Sequence, residues 1–202
     1  MKVVVLASGS GTLLQAVIDA LGPGSGVELA AVGSDRECAA LERAAAVGIE
    51  HFVVPYVPKN TDRSEWNREL ANKIASFNPD LVVSAGFMRI LGEELVRQFE
   101  GRIINTHPAL LPAFPGAHAV RDALNYGVKV TGTTVHVVDS GVDSGPILAQ
   151  EAVAVEPGDT EDTLHERIKT VERALLVTTI RGIAENGITI NGRKAWTTSN
   201  DC

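Results

Sequence analysis

Short apolar runs rich in β-branched residues, each followed by a turn and then by helical periodicity, constrain this chain more than any other feature. Met1–Ala7 reads MKVVVLA and Asp80–Ala85 reads DLVVSA. Both are too short for buried helices and suit strands covered on both faces. Thr12–Leu21 places Leu13, Leu14, Val17, Ile18 and Leu21 on one helical side. After the turn cluster Gly22-Pro23-Gly24-Ser25-Gly26, the pattern predicts a strand at Val27–Ser34, a helix at Glu37–Val47 and a third strand at His51–Val54. Asp62 predicts the cap of a helix running to Phe77. Met88–Phe99 reads as an amphipathic helix ended by Gly101, and Arg102–Asn105 as a fifth strand. Strands alternating with helices imply a parallel sheet whose strand C-terminal ends share one edge, where ligands bind.

The remainder reads differently. Thr106–Ala117 is a proline-rich loop and His118–Tyr126 a helix. Val128–Asp139 and Pro146–Val155 predict two antiparallel strands. Thr160–Asn186 is one long helix, and Ile188–Thr197 a hairpin around Asn191-Gly192. The expectation is a single α/β domain, Rossmann-like and three-layered α/β/α, over residues 1–202. Its sheet is mostly parallel, with antiparallel strands in the C-terminal half. It divides into a nucleotide-binding-like half, 1–105, and a second half, 106–202.

Composition narrows the function classes. A net charge of −7 argues against a nucleic-acid partner, which requires a basic surface to displace counterions. No apolar stretch approaches the length of a membrane span, and the apolar start is too short for a signal peptide. The cytoplasm is therefore the expected location, with no membrane partner. The two cysteines, Cys38 and Cys202, lack metal-ligand spacing and read as a core filler and a loose terminal thiol. No histidine pair has the spacing of a helical metal site, so no metal is expected.

Three segments carry candidate chemistry. Ser8-Gly9-Ser10-Gly11-Thr12 lies between a strand and a helix, where free N–H groups and the helix dipole attract an anion. A plain β-α turn is the alternative. A dinucleotide site is another, with Asp35 as the ribose ligand, but the third glycine of that fingerprint is missing. Asn105 and His107 alternate by two, so both side chains project to one side at the end of a buried strand. Histidine titrates near neutrality and protonates oxyanions or leaving nitrogens; an asparagine amide stabilises the same oxyanion. The pair serves equally well to satisfy loop backbone groups. The loop Asp139–Pro146 offers two carboxylates, Asp139 and Asp143, and by composition alone reads as turn chemistry. Thr134 and His136 share a strand face; His136 suits a buried supporting role as well as a ligand's. His51, His118 and His165 are assigned no chemistry.

Taken together, VVLASGSGTLLQA, DLVVSAGFMRIL, INTHPALLPAFPG, TGTTVHVVDSGVDSGPILAQ and ERIKTVERALL resemble the glycinamide ribonucleotide formyltransferases, folate-dependent enzymes of purine (IMP) biosynthesis. The resemblance runs through nearly the whole chain. It implies formyl transfer from 10-formyltetrahydrofolate, as co-substrate, to the amine of phosphoribosylglycinamide. It implies His107 as general acid, Asn105 as oxyanion-stabilising amide, and Asp143 as the carboxylate that raises the imidazole pKa. Gly11, Thr12 and Leu13 match the loop that holds the substrate phosphate; many relatives carry Asn where Leu13 stands. Pro108, Lys169 and Glu172 match further ribonucleotide contacts. Arg63, Met88, Arg89, Ile90, Leu91, Val138 and Asp139, with Asn105 and Asp143, match the folate pocket, and residues 106–202 are expected as the folate-site half. Thr134 and His136 match supporting positions. A homodimer is left open, as is a cis Leu111–Pro112 bond. Two related activities fit less well. A 10-formyltetrahydrofolate hydrolase usually carries an extra N-terminal regulatory domain, whereas this sequence starts at its first strand. A methionyl-tRNA formyltransferase needs a basic nucleic-acid domain that the charge does not provide. A non-catalytic nucleotide-binding module is the reading from another class.

Overall fold

A computed structural model describes residues 1–22 and 24–197. Pro23 of the turn cluster and the terminal Cys202 lie outside the described residues. The chain forms two compact units, residues 1–104 and Asn105 onward.

In the first unit the strands run in the order β3-β2-β1-β4: β1 (Lys2–Leu6), β2 (Glu28–Ser34), β3 (His51–Val53) and β4 (Leu81–Ser84). All pair in parallel, with Val3 opposite Leu81 on one side and Leu29 on the other. Val3, Val4, Val5, Val82 and Val83 are fully buried, as their continuous apolar character demands of a strand covered on both faces. Helices α1 (Thr12–Ala20), α2 (Ala39–Ala46), α3 (Arg63–Ala75) and α4 (Glu93–Gln98) make the connections. Asp62 caps α3 as the sequence predicts, its carboxylate accepting from the Glu65 N–H at 2.8 Å.

One helix differs from expectation. Met88–Leu91 is loop, and α4 begins only at Glu93. Met88 and Ile90 are 71% and 58% exposed, so the apolar spacing there does not mark a core face. The Asn67 side chain accepts from the Gly92 N–H at 2.6 Å, and a Cβ on Gly92 would meet Asn67 Cγ at 2.6 Å. That contact holds the chain extended at the helix start.

In the second unit β6 (Val130–Val137) and β7 (Ile147–Ala154) pair antiparallel, with Thr134 opposite Gln150. β8 (Thr189–Asn191) and β9 (Lys194–Trp196) form the expected hairpin, turned at Gly192. Between these lie α5 (Ala119–Tyr126) and the 26-residue α6 (Glu161–Asn186), which Thr160 opens with a reciprocal capping pair to Thr163. Leu164 and Ile168 of α6 pack with Val120 and Val153 into a core cluster. β5 (Ile103–His107) leads into this unit. It extends beyond the predicted Asn105, so both Asn105 and His107 stand in strand conformation. The observed class is the expected mixed α/β, parallel first and antiparallel later.

Candidate active site

Strand alternation places Asn105 and His107 on one face of β5 and Thr106 on the other. The His107 ring is buried, with an acceptor at each nitrogen. Nε2 donates to the Phe114 carbonyl at 2.7 Å, and Nδ1 lies 3.4 Å from Asp143 Oδ2. The ring serves both acceptors only when it carries both protons.

Asp143 sits in the loop after β6 with φ of 50°, a left-handed conformation that Asp tolerates better than most residues. Two loop glycines sharpen this geometry differently. A Cβ on Gly145 would meet the Val137 carbonyl oxygen at 1.7 Å, so only glycine lets the loop return against β6. Gly116 donates its N–H to Asp143 Oδ2 at 2.8 Å. The Asp143 carboxyl is held down to about 2, through His136 first, then the Gly116 N–H and the nearby His107, while partial burial works in the opposite direction.

His136 stands between the amide and the carboxylate. Its Nε2 lies 3.3 Å from Asn105 Nδ2 and 3.6 Å from Asp143 Oδ1, and its Nδ1 is 3.0 Å from the Val137 carbonyl. With Nδ1–H committed to that carbonyl, the neutral ring accepts from Asn105, and only the imidazolium donates toward Asp143. The hold on Asp143 through His136 therefore belongs to the protonated ring, and the one through Gly116 to every state. The Asn105 amide has two N–H bonds; His136 takes one, and the other meets no acceptor among the described residues.

The loop behind His107 is pinned by buried polar groups. Thr134 Oγ1 donates to the Ala109 carbonyl at 2.7 Å and accepts from the Leu111 N–H at 3.1 Å. Gln150 Nε2 reaches both the Leu111 carbonyl at 2.8 Å and Thr134 Oγ1 at 3.0 Å. The Leu111–Pro112 bond is cis. Sequence reasoning missed Gln150, although its register opposite Thr134 is a signal once β6 and β7 are paired. It also missed Phe114 and Gly116, which act through backbone atoms that no side-chain pattern reveals.

Glu172 is buried on α6, its carboxyl raised by burial against the opposing pull of a hydrogen bond to the Thr106 hydroxyl. It thus belongs to the opposite face of β5 from Asn105 and His107. Lys169, one turn earlier, pairs with Glu166 at 2.8 Å. Asp139 spends its Oδ1 on its own loop, accepting from the Gly141 N–H and the Ser144 hydroxyl. Val138 lies half-buried beside it, and Pro108 follows His107 in the pinned loop.

In the first unit, loops after β1, β2 and β4 gather at the C-terminal sheet edge. Ser8 N–H donates to the Gly86 carbonyl, and Met88 N–H to Ser8 Oγ. Gly11 has φ of 68°, and the N–H groups of Ser10, Gly11, Thr12 and Leu13 meet no protein acceptor among the described residues. The Leu13 side chain is buried, so the polar group this residue offers is its N–H. Asp35 is not a ribose ligand. Its carboxylate is fully buried and takes hydrogen bonds from Arg36 and from Arg89 Nε at 2.8 Å. Burial would raise this carboxyl, but the Ser8 hydroxyl and the two guanidiniums outweigh it and hold it low. Arg89 also stacks over Tyr56 at 4.7 Å, Arg63 donates to the Ile90 carbonyl, and Leu91 completes the exposed loop. No group of His, Cys, Asp or Glu among the described residues is arranged to hold a metal. No helix among them is long and apolar enough to cross a membrane.

Comparison with known proteins gives a consistent picture. The family described as formyl transferase matches residues 1–180. A phosphoribosylglycinamide formyltransferase of Mycobacterium tuberculosis is 54% identical over 194 residues, covering 96% of this chain and 90% of the relative. The enzyme of the same name from Escherichia coli is 39% identical over 199 residues, covering 97% and 93%. The crystal structure of glycinamide ribonucleotide transformylase 1 from Symbiobacterium toebii superposes with a TM-score of 0.90 at 42% identity, covering 96% and 92%.

Proposed function

The chain belongs to the formyl transferase family, and within it we propose that it moves the formyl group of 10-formyltetrahydrofolate to the amine of phosphoribosylglycinamide, a step of purine biosynthesis. The observation that carries the chemistry is the convergence of Asn105, His107 and Asp143, with His107 Nδ1 3.4 Å from the carboxylate.

The reaction is direct acyl transfer. The neutral glycinamide amine attacks the formyl carbon, and the carbonyl electrons move onto oxygen. The free N–H of Asn105 and the doubly protonated His107 stabilise that oxyanion. Collapse expels the folate nitrogen, which takes a proton from His107 Nε2 once the ring exchanges the Phe114 carbonyl for the ligand. Asp143, ionised throughout the working pH range, keeps the imidazolium in place and collects the amine proton through water. Positioning and oxyanion stabilisation each supply several kcal/mol of order. The N–H groups of Gly11, Thr12 and Leu13 take the ribonucleotide phosphate, Pro108 and Lys169 support the ribonucleotide, Glu172 supports it indirectly through Thr106 on the other face of β5, and Arg63 with Met88–Leu91, Val138 and Asp139 bounds the folate.

The test is an absorbance assay for tetrahydrofolate formation with and without phosphoribosylglycinamide. Formation that depends on the ribonucleotide supports the transferase. Equal formation without it identifies a hydrolase, for which water is the acceptor.

A further inference from the structure

The phosphate-binding reading rests on backbone N–H groups, and these point usefully only if something turns the matching carbonyls away. In a trans peptide the C=O and the next residue's N–H point in opposite directions. The carbonyls of Gly9, Ser10 and Gly11 each have a defined partner. The Gly9 carbonyl accepts from the Ala40 N–H at 3.1 Å, one of the first-turn donors of α2 that has no partner within its own helix. The Ser10 carbonyl accepts from Arg43 Nε at 2.8 Å. The Gly11 carbonyl starts α1, accepting from the Gln15 N–H at 2.8 Å. Two of these three partners belong to α2, and they turn the N–H groups of Ser10 and Gly11 to the side opposite that helix.

Arg43 does more than touch one carbonyl. Its Nη1 donates to Gln15 Oε1 at 2.9 Å, so one guanidinium ties the loop to the first turns of α1. Gln15 is braced in turn by donating to Asp19 at 2.8 Å. The loop is pressed onto α2 closely enough that a Cβ on Gly11 would meet Ala40 Cα at 2.7 Å and Arg43 Cδ at 3.2 Å. The Leu13 side chain is apolar and buried, so this residue offers only its N–H, and the backbone donors of the loop carry much of the site. Their direction then decides affinity.

We propose that Arg43 is a positioning residue for the ribonucleotide phosphate, holding the Ser10 carbonyl and Gln15 so that the Gly11 and Thr12 N–H groups face the anion. This rests on the phosphate reading of the loop given above. It predicts an effect confined to one substrate, since Arg43 touches neither the folate loop nor the His107 set.

The experiment is steady-state kinetics of Arg43→Met and Arg43→Lys with both substrates varied, alongside thermal unfolding of each variant. Arg43→Met should raise the phosphoribosylglycinamide KM about tenfold, with kcat and the folate KM within about twofold of wild type. Arg43→Lys should recover part of the loss, because an ammonium reaches the Ser10 carbonyl but not Gln15 at once. Gln15→Leu, which leaves Arg43 in place, should raise the same KM by about threefold and serves where Arg43→Met unfolds. An unchanged ribonucleotide KM in a folded variant, or equal rises in both KM values, overturns the proposal. Wild-type protein that forms no tetrahydrofolate in response to the ribonucleotide fails the function itself, and that result is separate from these.

Discussion

Two carboxylates, one in each unit, sit among cationic or proton-bearing partners and do opposite things. Asp35 is fully buried and answered by two arginines, one bond as short as 2.8 Å. Asp143 remains 14% exposed at its side chain and faces two imidazoles at 3.4 and 3.6 Å, with one N–H at 2.8 Å. Guanidinium does not release its proton, so the Asp35 cluster is a fixed brace for the Met88–Leu91 loop. Imidazole does, so the Asp143 cluster can hold a proton in one step and yield it in the next. The lesson is that burial and charge alone do not mark a reactive carboxylate; the titratability of its partners does.

The sharpest way to break this contrast is to remove the groups that carry protons or donate to the oxyanion. His107→Ala and Asn105→Ala should each lower kcat at least about a hundredfold while the unfolding temperature stays within a few degrees. A variant of either kind with near-normal turnover removes that residue from the chemistry.

A smaller effect is expected from the brace. Asp35→Asn should cost about 1–3 kcal/mol in a denaturant titration, reduced from the value for a dry ion pair because Arg36 and Arg89 regain water. No loss of stability in Asp35→Asn would mean that the three donors on its carboxylate contribute nothing net.

The pH dependence of stability sharpens the comparison further. The Asp143 carboxyl titrates near 2 in the folded chain against an ordinary 3.8. A depressed value stabilises the fold above the ordinary pKa and loses that contribution as pH falls from about 4 toward 2. The linkage amounts to about 1–2 kcal/mol, less than the full shift implies because solvent screens the half-buried carboxylate. Unfolding measured from pH 5 down to pH 2 should therefore be flatter in Asp143→Asn than in wild type. Parallel curves would contradict the hold on this carboxylate.

Much of this architecture is legible in the residues themselves. Val3–Leu6 and Leu81–Val83 announce buried parallel strands because every position is apolar, and Asp62 announces a helix because its carboxylate caps the third helical residue, Glu65. Met88 and Ile90 mislead, since helical apolar spacing also occurs on an exposed loop whose shape comes from Asn67 and Asp35, distant in sequence. The alternation of Asn105 and His107 is visible, but Asp143 stands out only through the family resemblance, because an Asp-Ser-Gly loop is also ordinary turn chemistry. Phe114, Gly116 and Arg43 escape sequence reading for one reason: each acts on or through a backbone group, and that direction exists only after folding.

The carboxylate with titratable partners serves the reaction, and the one with arginines does not. That division is tested most directly by kcat, with both substrates saturating, of Asp143→Asn and Asp35→Asn measured side by side. The first should fall at least about a hundredfold and the second should stay within about threefold. Comparable losses in the two variants, or wild-type turnover in Asp143→Asn, would contradict it.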